Sequence, residues 1–473
     1  MSKILAVLAK ELTGFAVIEL LLRAAVGLGL VSLPAMNIGG FDRLQFGEEP
    51  PVQQRLYEAD RDLIFKLRPN AALVYPRTAL FPGKPATWSV HTNARGFRSP
   101  DFEEAKRPGM FRIICLGDSS TFGMNVDDAD AYPQVLQRLL DERAPGRFEV
   151  LNLGVPGYSS RQGLELLRQQ ALGYQPDLVI FAFGTNDRFW RRSISDDQLI
   201  RLNQSPTGGA LWYLREAAEH VYTYRLVRRA ATAAAHSLFG APAPLAGEPR
   251  VSLNELPANI VAAQAQLHAQ GAALVVANND FYGTDAIEGM RAGAQQSGAT
   301  LVDMRQLFAD RARARTHELE AQHGLAPATA PKGMGLFRVL SSNSADQLVV
   351  DVRPELTSEW KRFPMRDDGK GPDQVAGDGI WSAVAPLGDA QRVEYIYWVH
   401  RDSDFLRECG ETMHDASTRL RPATGPDATT IDRLGEFDLH TDSAHPDEEG
   451  HRLIAEALLP AVFGAAGTKS GTP

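Results

Sequence analysis

The feature that most constrains the fold is an alternation of short apolar runs and helical patterns early in the chain. Three apolar runs, at 111–117, 148–154 and 176–187, are separated by segments at 131–144 and 160–174 whose apolar residues recur at helical spacing. Continuous apolar runs of this length are typical of strands buried on both faces of a parallel sheet. The order strand, helix, strand, helix, strand predicts a doubly wound α/β sheet.

The same alternation defines the expected domains. It continues through two further helix–strand pairs and stops near position 325, after which 326–430 shows period-two patterns rich in β-branched and aromatic residues. The α/β pattern resumes at 431–465. We therefore expect one α/β domain made of 111–325 and 431–465, divided by an inserted β-sandwich-like module. Residues 34–110, rich in Pro and Gly, are expected to form a lead-in arm.

Within residues 1–33, the mostly apolar stretch from Leu12 to Leu33 is long enough to cross a bilayer, which needs about 20 apolar residues. Glu19 and Arg23 interrupt the stretch, but four positions place them on one helix face, where they can neutralise each other. Lys3 and Lys10 precede it, which places the N-terminus inside and the rest outside. The expectation is a membrane anchor. A cleaved signal segment and a helix packed on a soluble domain are the alternatives.

Composition narrows the classes of function. The chain has 473 residues, is 44% hydrophobic and carries a net charge of −9. These values exclude a mainly disordered protein, and they argue against nucleic-acid binding because phosphates favour clustered Lys and Arg. Cys115 and Cys409 are too few for a disulfide scaffold or a four-cysteine zinc site. Because Cys115 lies in an apolar run, a buried unreactive thiol is expected there, with a bridge to Cys409 as the alternative.

Polar motifs stand where the expected strands end. GDSST at 117–121 places Ser119 between the first strand and a helix, where ligands gather and backbone N–H groups can stabilise an anion. A serine nucleophile needs a base, and the base needs an orienting group. DSAHP at 442–446 offers His445 as the base and Asp442 as its carboxylate. The alternatives are an ordinary turn at GDSST and a helix cap at Asp442.

Acyl transfer also needs hydrogen-bond donors for the oxyanion that develops in the reaction. GVPGYSS follows the second strand, and its Gly157 can bring a backbone N–H close because it has no Cβ. GTND follows the third strand and offers the side-chain amide of Asn186. With the N–H of Ser119 this makes three donors, although each residue could equally serve a turn.

Together, GDSST, NLGVPGYSS, FGTND and DSAHP resemble the four sequence blocks of the SGNH, or GDSL-type, hydrolases, in the order of that family. The resemblance covers about 110–310 and 435–465. It implies a flavodoxin-like three-layer α/β/α sandwich. The first block has GDSS where GDSL is usual, and the β insertion is not part of the minimal fold, so the substrate stays open. The N-terminal apolar segment followed by ARGFR resembles bacterial envelope members.

The resemblance also implies roles for the motif residues. Ser119 is the expected nucleophile, Asp442 and His445 complete the triad, and Gly157 and Asn186 complete the oxyanion hole. No cofactor and no metal ion are expected for this chemistry.

The inserted module contains two groups of residues with a candidate binding role. DDGKGPDQVAGDG has four aspartates among glycines: Asp367, Asp368, Asp373 and Asp378. They could bind calcium, but the spacing differs from an EF-hand and is typical of hairpin turns, which is the expectation. Five aromatic side chains could stack on sugars or pack a core: Trp360, Trp381, Tyr395, Tyr397 and Trp398.

These observations and the resemblance predict an extracytoplasmic, membrane-anchored serine esterase of the bacterial envelope or periplasm. It would remove O-acyl groups, such as acetyl, from a carbohydrate or a cell-envelope polymer. An O-acyltransferase acting on an extracellular polysaccharide shares every step except the acceptor. A non-catalytic carbohydrate-binding envelope protein is the third possibility. The expected partners are an acylated small molecule or polysaccharide and the membrane, with no nucleic acid.

Overall fold

The computed structural model describes 2–31, 33, 55–76, 87–188, 194–239, 249–278, 284–341, 347–354, 359–401, 404–407, 419–423, 426–433 and 445–470. The N-terminal part has one helix followed by two antiparallel hairpins: α1 (Ser2–Gly27), β1 (Tyr57–Asp60), β2 (Ile64–Leu67), β3 (Ala72–Pro76) and β4 (Thr87–His91).

The central part alternates strands and helices. Its elements are β5 (Phe111–Gly117), α2 (Ser119–Phe122), α3 (Tyr132–Arg143), β6 (Phe148–Asn152), α4 (Ser160–Gln169), β7 (Leu178–Ala182), α5 (Asp196–Gln204), α6 (Pro206–Glu219), α7 (Tyr222–Phe239), α8 (Glu255–His268), β8 (Ala273–Asn278), α9 (Thr284–Ser297), β9 (Thr300–Asp303) and α10 (Met304–His323). Strands β5 to β9 form one parallel sheet in the order β6-β5-β7-β8-β9. This is the flavodoxin-like strand order, so the predicted α/β fold is confirmed.

The remaining elements form further β-sheets and a last helix: β10 (Met334–Leu340), β11 (Gln347–Pro354), β12 (Lys361–Pro364), β13 (Ile380–Pro386), β14 (Arg392–Arg401), β15 (Asp404–Arg407), β16 (Arg419–Pro422), β17 (Ile431–Arg433) and α11 (Glu448–Ser470). One sheet has the order β13-β10-β17, and the other has β12-β11-β14-β15 with β16 also paired to β14. Phe337 and Val339 of the first sheet share one buried cluster with Val350 and Tyr397 of the second. The extra sheets therefore pack face to face.

One strand lies beyond the boundary expected at position 430. Strand β17 pairs in parallel with β10, which joins Arg338 to Ile431 and Leu340 to Arg433 in register. Ile431–Arg433 therefore belongs to the sheet of the β module, not to the α/β domain. The α/β pattern in the sequence could not show this, because a three-residue strand is too short for a period.

Successive residues of β5 face opposite sides of the central sheet, as the period of a strand requires. Ile113 and Cys115 lie in a buried cluster with residues of α3, α10 and α11. Ile114 and Leu116 lie in the other cluster, with α4, α8, α9 and the N-terminal hairpins. Both faces of β5 are therefore covered, and the polar residues Asp118 and Ser119 follow directly after its carboxyl end.

Helix α1 packs on the junction of α6 and α7. The Glu19 carboxylate accepts the N–H groups of Tyr222 and Thr223, each at 2.9 Å, and pairs with Arg23 at 2.8 Å. None of the helices in the described part of the chain combines the length and apolar character that a membrane crossing requires. The transmembrane span expected within 1–33 is therefore not found, since charged residues such as Glu11 and Glu19 interrupt the apolar stretch.

Candidate active site

Ser119 and His445 meet at the carboxyl end of β5. Helix α2 begins at Ser119, and Asp118 caps it by accepting the Ser120 N–H at 3.0 Å. The Ser119 Oγ lies 2.9 Å from Nε2 of His445, although the two residues are 326 positions apart. Both side chains are partly buried. The fold thus joins a hydroxyl to an imidazole in the geometry of a nucleophile and its general base.

The N-terminal arm holds the other end of α2 through Arg98. This side chain is only 1% exposed, and its Nε donates to Asp128 at 2.6 Å. Its remaining donors reach four backbone carbonyls, those of Ser89, Phe122, Gly123 and Val126. A guanidinium has five N–H donors, and all of them are used here. The sequence motif ARGFR therefore fixes the short helix that carries Ser119.

Gly157 lies in a tight turn joined to the end of β5. The Tyr158 N–H donates to the Val155 carbonyl at 3.1 Å, and Gly157 has a φ of 83°. Pro at the second position and a left-handed Gly at the third make a type II turn. The Val155 N–H also donates to the Gly117 carbonyl at 3.0 Å, which places this turn beside the GDSST loop.

Asn186 lies against the same turn. Its Nδ2 donates to the Tyr158 carbonyl at 3.0 Å, and its side chain is buried. The structure thus brings together Ser119 with His445 and Gly157 with Asn186, all at the carboxyl edge of the sheet. Asp442, the fifth residue expected in the site, lies outside the described residues.

Asp187, which follows Asn186, is a residue of the site that the sequence analysis missed. Its Oδ1 accepts the Ser160 N–H at 2.7 Å, so it joins the third motif to the start of α4. Burial raises the pKa of its carboxyl group to about 7. Its place at the end of FGTND was the signal that could have indicated a positioning role.

His451, in the first turns of α11, is a second missed residue. It is fully buried, its Nδ1 accepts the Tyr132 N–H at 3.1 Å, and the two rings stack with centroids 6.2 Å apart. This contact fastens the start of α11 to the start of α3. Because His445 lies just before α11, the contact also helps to hold the imidazole over Ser119.

Cys115 is a free, fully buried cysteine in the same apolar cluster as Tyr132. Burial raises the pKa of its thiol, which disfavours the reactive thiolate. Cys409 lies outside the described residues.

In the acidic loop of the β module, aspartate carboxylates accept hydrogen bonds from backbone N–H groups of the same loop. Ligand atoms of Asp367, Asp373 and Asp378 lie within 4.8 Å of one another. The Asp367 carboxylate accepts the N–H groups of Gly377 and Gly379, at 2.8 and 3.2 Å. Asp368 lies outside this group of three, and its Oδ1 accepts the Lys370 N–H at 3.0 Å.

The aromatic side chains of the module differ in exposure. Tyr395 and Tyr397 are buried, and both hydroxyls donate to Asp432, at 3.0 and 2.7 Å. Trp381 packs partly buried against the core, and Trp398 lies beside the Arg362 guanidinium. Trp360 is 39% exposed, with the Arg353 guanidinium 4.7 Å from its ring centre. Only part of this set is therefore open to a sugar.

Comparison with known proteins assigns the central part of the chain. Residues 115–325 match the GDSL-like Lipase/Acylhydrolase family. The predicted GDSL-type domain is thus confirmed over this segment, which carries Ser119, Gly157 and Asn186.

Individual relatives are distant. The lipoprotein YqeF of Bacillus subtilis is 31% identical over 77 residues, which cover 16% of this chain and 31% of that protein. The chain thus spans about a third of this curated relative. A lipase/acylhydrolase from Enterococcus faecalis has 16% identity, covers 42% of this chain and 78% of its own, and gives a TM-score of 0.26. An acetylxylan esterase from Geobacillus stearothermophilus has 14% identity, covers 43% and 80%, and gives 0.26.

Proposed function

We propose that this protein is a serine ester hydrolase with Ser119 as its nucleophile and His445 as its general base. The observation that carries the proposal is the 2.9 Å contact between Ser119 Oγ and His445 Nε2 at the carboxyl edge of the sheet. The family match over 115–325 supports the same chemistry.

The reaction follows from this pair. His445 Nε2 takes the Ser119 proton while Oγ bonds to the ester carbonyl carbon, and the carbonyl electrons move to the oxygen. The Asp442 carboxylate orients the imidazole through Nδ1. When the tetrahedral intermediate collapses, the C–O bond to the alcohol breaks and His445 protonates the leaving oxygen. Water, deprotonated by His445, then attacks the acyl-enzyme and releases the acid and Ser119.

Three donors stabilise the oxyanion in both steps: the N–H groups of Ser119 and Gly157 and the side-chain amide of Asn186. An asparagine amide carries two N–H groups. One donates to the Tyr158 carbonyl at 3.0 Å, which fixes the side chain, and the second serves the oxyanion. One such donor is worth about 10²–10³ in kcat.

The proposed substrates are O-acyl groups, such as acetyl, on a carbohydrate or cell-envelope polymer. Trp360 supports this class of substrate, because an exposed ring on the β module offers a surface on which a sugar can stack.

Ser119→Ala tests the proposed nucleophile. Hydrolysis of p-nitrophenyl acetate and of an acetylated oligosaccharide should fall at least about 10³-fold, because the group that forms the acyl-enzyme is removed. Ser297→Ala, at the end of α9, is the control and should keep wild-type rates. Equal rates for wild type and Ser119→Ala would remove this serine from the mechanism. If acyl-sugar formation were faster than hydrolysis, the proposed function would be that of an acyltransferase and not of a hydrolase.

We also propose that the protein acts outside the cytoplasm, at a membrane surface that α1 contacts. Leu12, Leu20 and Leu21 of α1 are exposed by 64–68%. Apolar side chains displayed along a helix favour the lipid–water interface. The name of the lipoprotein relative is in line with this location.

Flotation with lipid vesicles tests the membrane contact. Wild type should float with the vesicles, and Leu12→Lys/Leu20→Lys should stay in the soluble fraction. Val74→Lys, a change at an equally exposed apolar residue of β3, should float. Flotation of the double variant at the wild-type level would contradict the proposal.

A further inference from the structure

The turn that contains Gly157 is contacted by side chains from other parts of the chain. None of these side chains belongs to a sequence motif. In Val155–Tyr158, the Gly157 N–H belongs to the peptide that also carries the Pro156 carbonyl, and the following peptide carries the Gly157 carbonyl. The Pro156 carbonyl of the first peptide lies 3.5 Å from the Tyr57 hydroxyl of the N-terminal arm. The Gly157 carbonyl of the second accepts a hydrogen bond from Arg250 Nη1 at 2.8 Å.

Arg250 is itself held in place. Its Nη2 donates to Asp196 Oδ2 at 2.8 Å and to Gln162 Oε1 at 2.7 Å, and its Nε donates to Asp196 Oδ1 at 3.3 Å. The Arg250 side chain is 19% exposed and that of Asp196 is 9% exposed. Contacts of a guanidinium with a carboxylate through two nitrogens are directional and strong. The guanidinium therefore has a single well-defined position over the turn.

The same carboxylate also holds the residue after the turn. The Ser159 hydroxyl donates to Asp196 Oδ2 at 2.6 Å, and Ser159 caps α4. Arg250 and Asp196 belong to segments that follow the third strand, whereas the turn follows the second. The pair thus ties the turn to a separate part of the chain.

The turn needs such support because its sequence does not determine one conformation. Type I and type II turns both accept Pro at the second position, and they differ by a near reversal of the central peptide. Glycine populates positive and negative φ almost equally, so Gly157 does not oppose this reversal. The peptide that reverses carries the Pro156 carbonyl and the Gly157 N–H, so a reversal would turn this N–H to the opposite side of the chain. Contacts from outside therefore support the φ of 83°: the Tyr57 hydroxyl lies against the Pro156 carbonyl of this peptide, and the Arg250 bond fixes the next peptide and with it the Gly157 Cα.

We infer that Arg250, anchored by Asp196, is a positioning residue that holds the Gly157 turn in the place from which its N–H reaches the oxyanion. The inference rests on the proposed function. Arg250 does not touch the reacting atoms, and it acts through the Gly157 carbonyl. Its loss should weaken transition-state binding while the substrate ground state is bound as before.

Arg250→Met is the principal test, with Arg161→Met as the matched control. Arg161 is a neighbouring, partly buried arginine that pairs with Asp197 and Glu165 but not with the turn. Arg250→Met should lower kcat about 10–100-fold and change KM less than about threefold. The expected loss in kcat is smaller than the loss on removing one oxyanion donor completely, because the donor is displaced and not deleted. Affinity for a trifluoromethyl ketone inhibitor should fall in parallel. Amide hydrogen exchange at 155–160 should accelerate. Arg161→Met should match wild type in all three.

Arg250→Lys is a second variant that keeps the inference testable if Arg250→Met does not fold. A lysine can contact Gly157 or Asp196 with one nitrogen but cannot hold Gly157, Asp196 and Gln162 together. It should therefore give an intermediate kcat and intermediate exchange.

A wild-type kcat in Arg250→Met, or unchanged amide exchange at 155–160, would overturn the inference. The proposed function would still stand, provided that Ser119→Ala is inactive. An equal fall in kcat in Arg161→Met would also overturn the inference, because the effect would then not depend on the contact with the Gly157 turn. Equal activity of wild type and Ser119→Ala would instead refute the proposed function, and the inference with it.

Discussion

Asp187 shows how one buried residue links the site to pH. Its folded pKa is about 7, raised by burial from an ordinary value of 3.8. Between about pH 4 and pH 7 the folded state keeps a proton that the unfolded state has lost, so this group makes stability fall as pH rises through that window. The effect is about 1.4 kcal/mol for each unit of the shift.

Asp187→Asn removes this titration. The unfolding temperature of the variant minus that of wild type should therefore be more positive at pH 8 than at pH 5. Asp389→Asn, at an exposed loop position, is the control and should show the same difference at both pH values. A pH-independent difference for Asp187→Asn would mean that Asp187 is ionised in the folded protein across this range.

At the scale of residues, the sequence motifs located the groups proposed to do chemistry but not those that hold them. Ser119 and His445 belong to short motifs, and the residue types in these motifs indicate a chemical role. Arg250 and His451 belong to no motif, and the groups of the site that they hold are a backbone carbonyl and a backbone N–H. Any donor or acceptor of the right reach can serve such contacts, so only the fold can indicate which residue does.

At the scale of elements, the site depends on how closely the loop after β6 approaches α2. A Cβ on Gly154 would lie 2.4 Å from the backbone N of Phe122 and 2.8 Å from the backbone C of Thr121. Backbone atoms cannot rotate away as a flexible side chain can. The loop and the helix that carries Ser119 can therefore lie this close only if position 154 is glycine.

Gly154→Ala should destabilise the protein by about 1–3 kcal/mol, the usual cost of overpacking, and should reduce ester hydrolysis because α2 must shift. Thermal unfolding and p-nitrophenyl acetate hydrolysis measure the two effects. Gly464→Ala, in the open middle of α11, is the control and should be neutral or slightly stabilising because Ala favours helices. Unchanged stability and activity in Gly154→Ala would refute the close approach.

The elements themselves were predictable where their patterns were long. The five apolar runs became β5 to β9. Strands β5 to β8 are mostly buried, which leaves a continuous apolar signature, whereas the residues of the edge strand β9 are exposed or only partly buried. Helix α1 was expected for its apolar content, but its membrane span was not found. Glu19 instead accepts two N–H groups at the start of α7, a tertiary contact that the pattern could not show.

At the scale of the whole molecule, the β module is fastened to the α/β domain through α10. Arg338 of β10 pairs with Glu320 of α10 at 3.0 Å, and both side chains are buried. The Ile431 N–H also donates to the Thr316 hydroxyl at 3.0 Å. Strands β10 and β17, near the two ends of the β module, are therefore both joined to the same helix of the α/β domain.

The discontinuous arrangement stays a prediction from the sequence, and one strand lies outside the limits predicted for the module. The change from helical to period-two patterns marked the module, since it extends over many residues. Strand β17 was missed at its end, because only its pairing with β10 identifies it. The acidic loop and Trp360 of the module are placed by the structure, and their part in binding stays a prediction.

The central claim is that Ser119 is the nucleophile, activated by His445. Reaction of the full-length protein with a fluorophosphonate, followed by peptide mapping, tests it most directly, because this reagent bonds covalently to an activated serine. The account predicts one modified residue, Ser119, with no labelling in Ser119→Ala and slow labelling in His445→Ala. Label on a different serine, or equal labelling of wild type and Ser119→Ala, would contradict it.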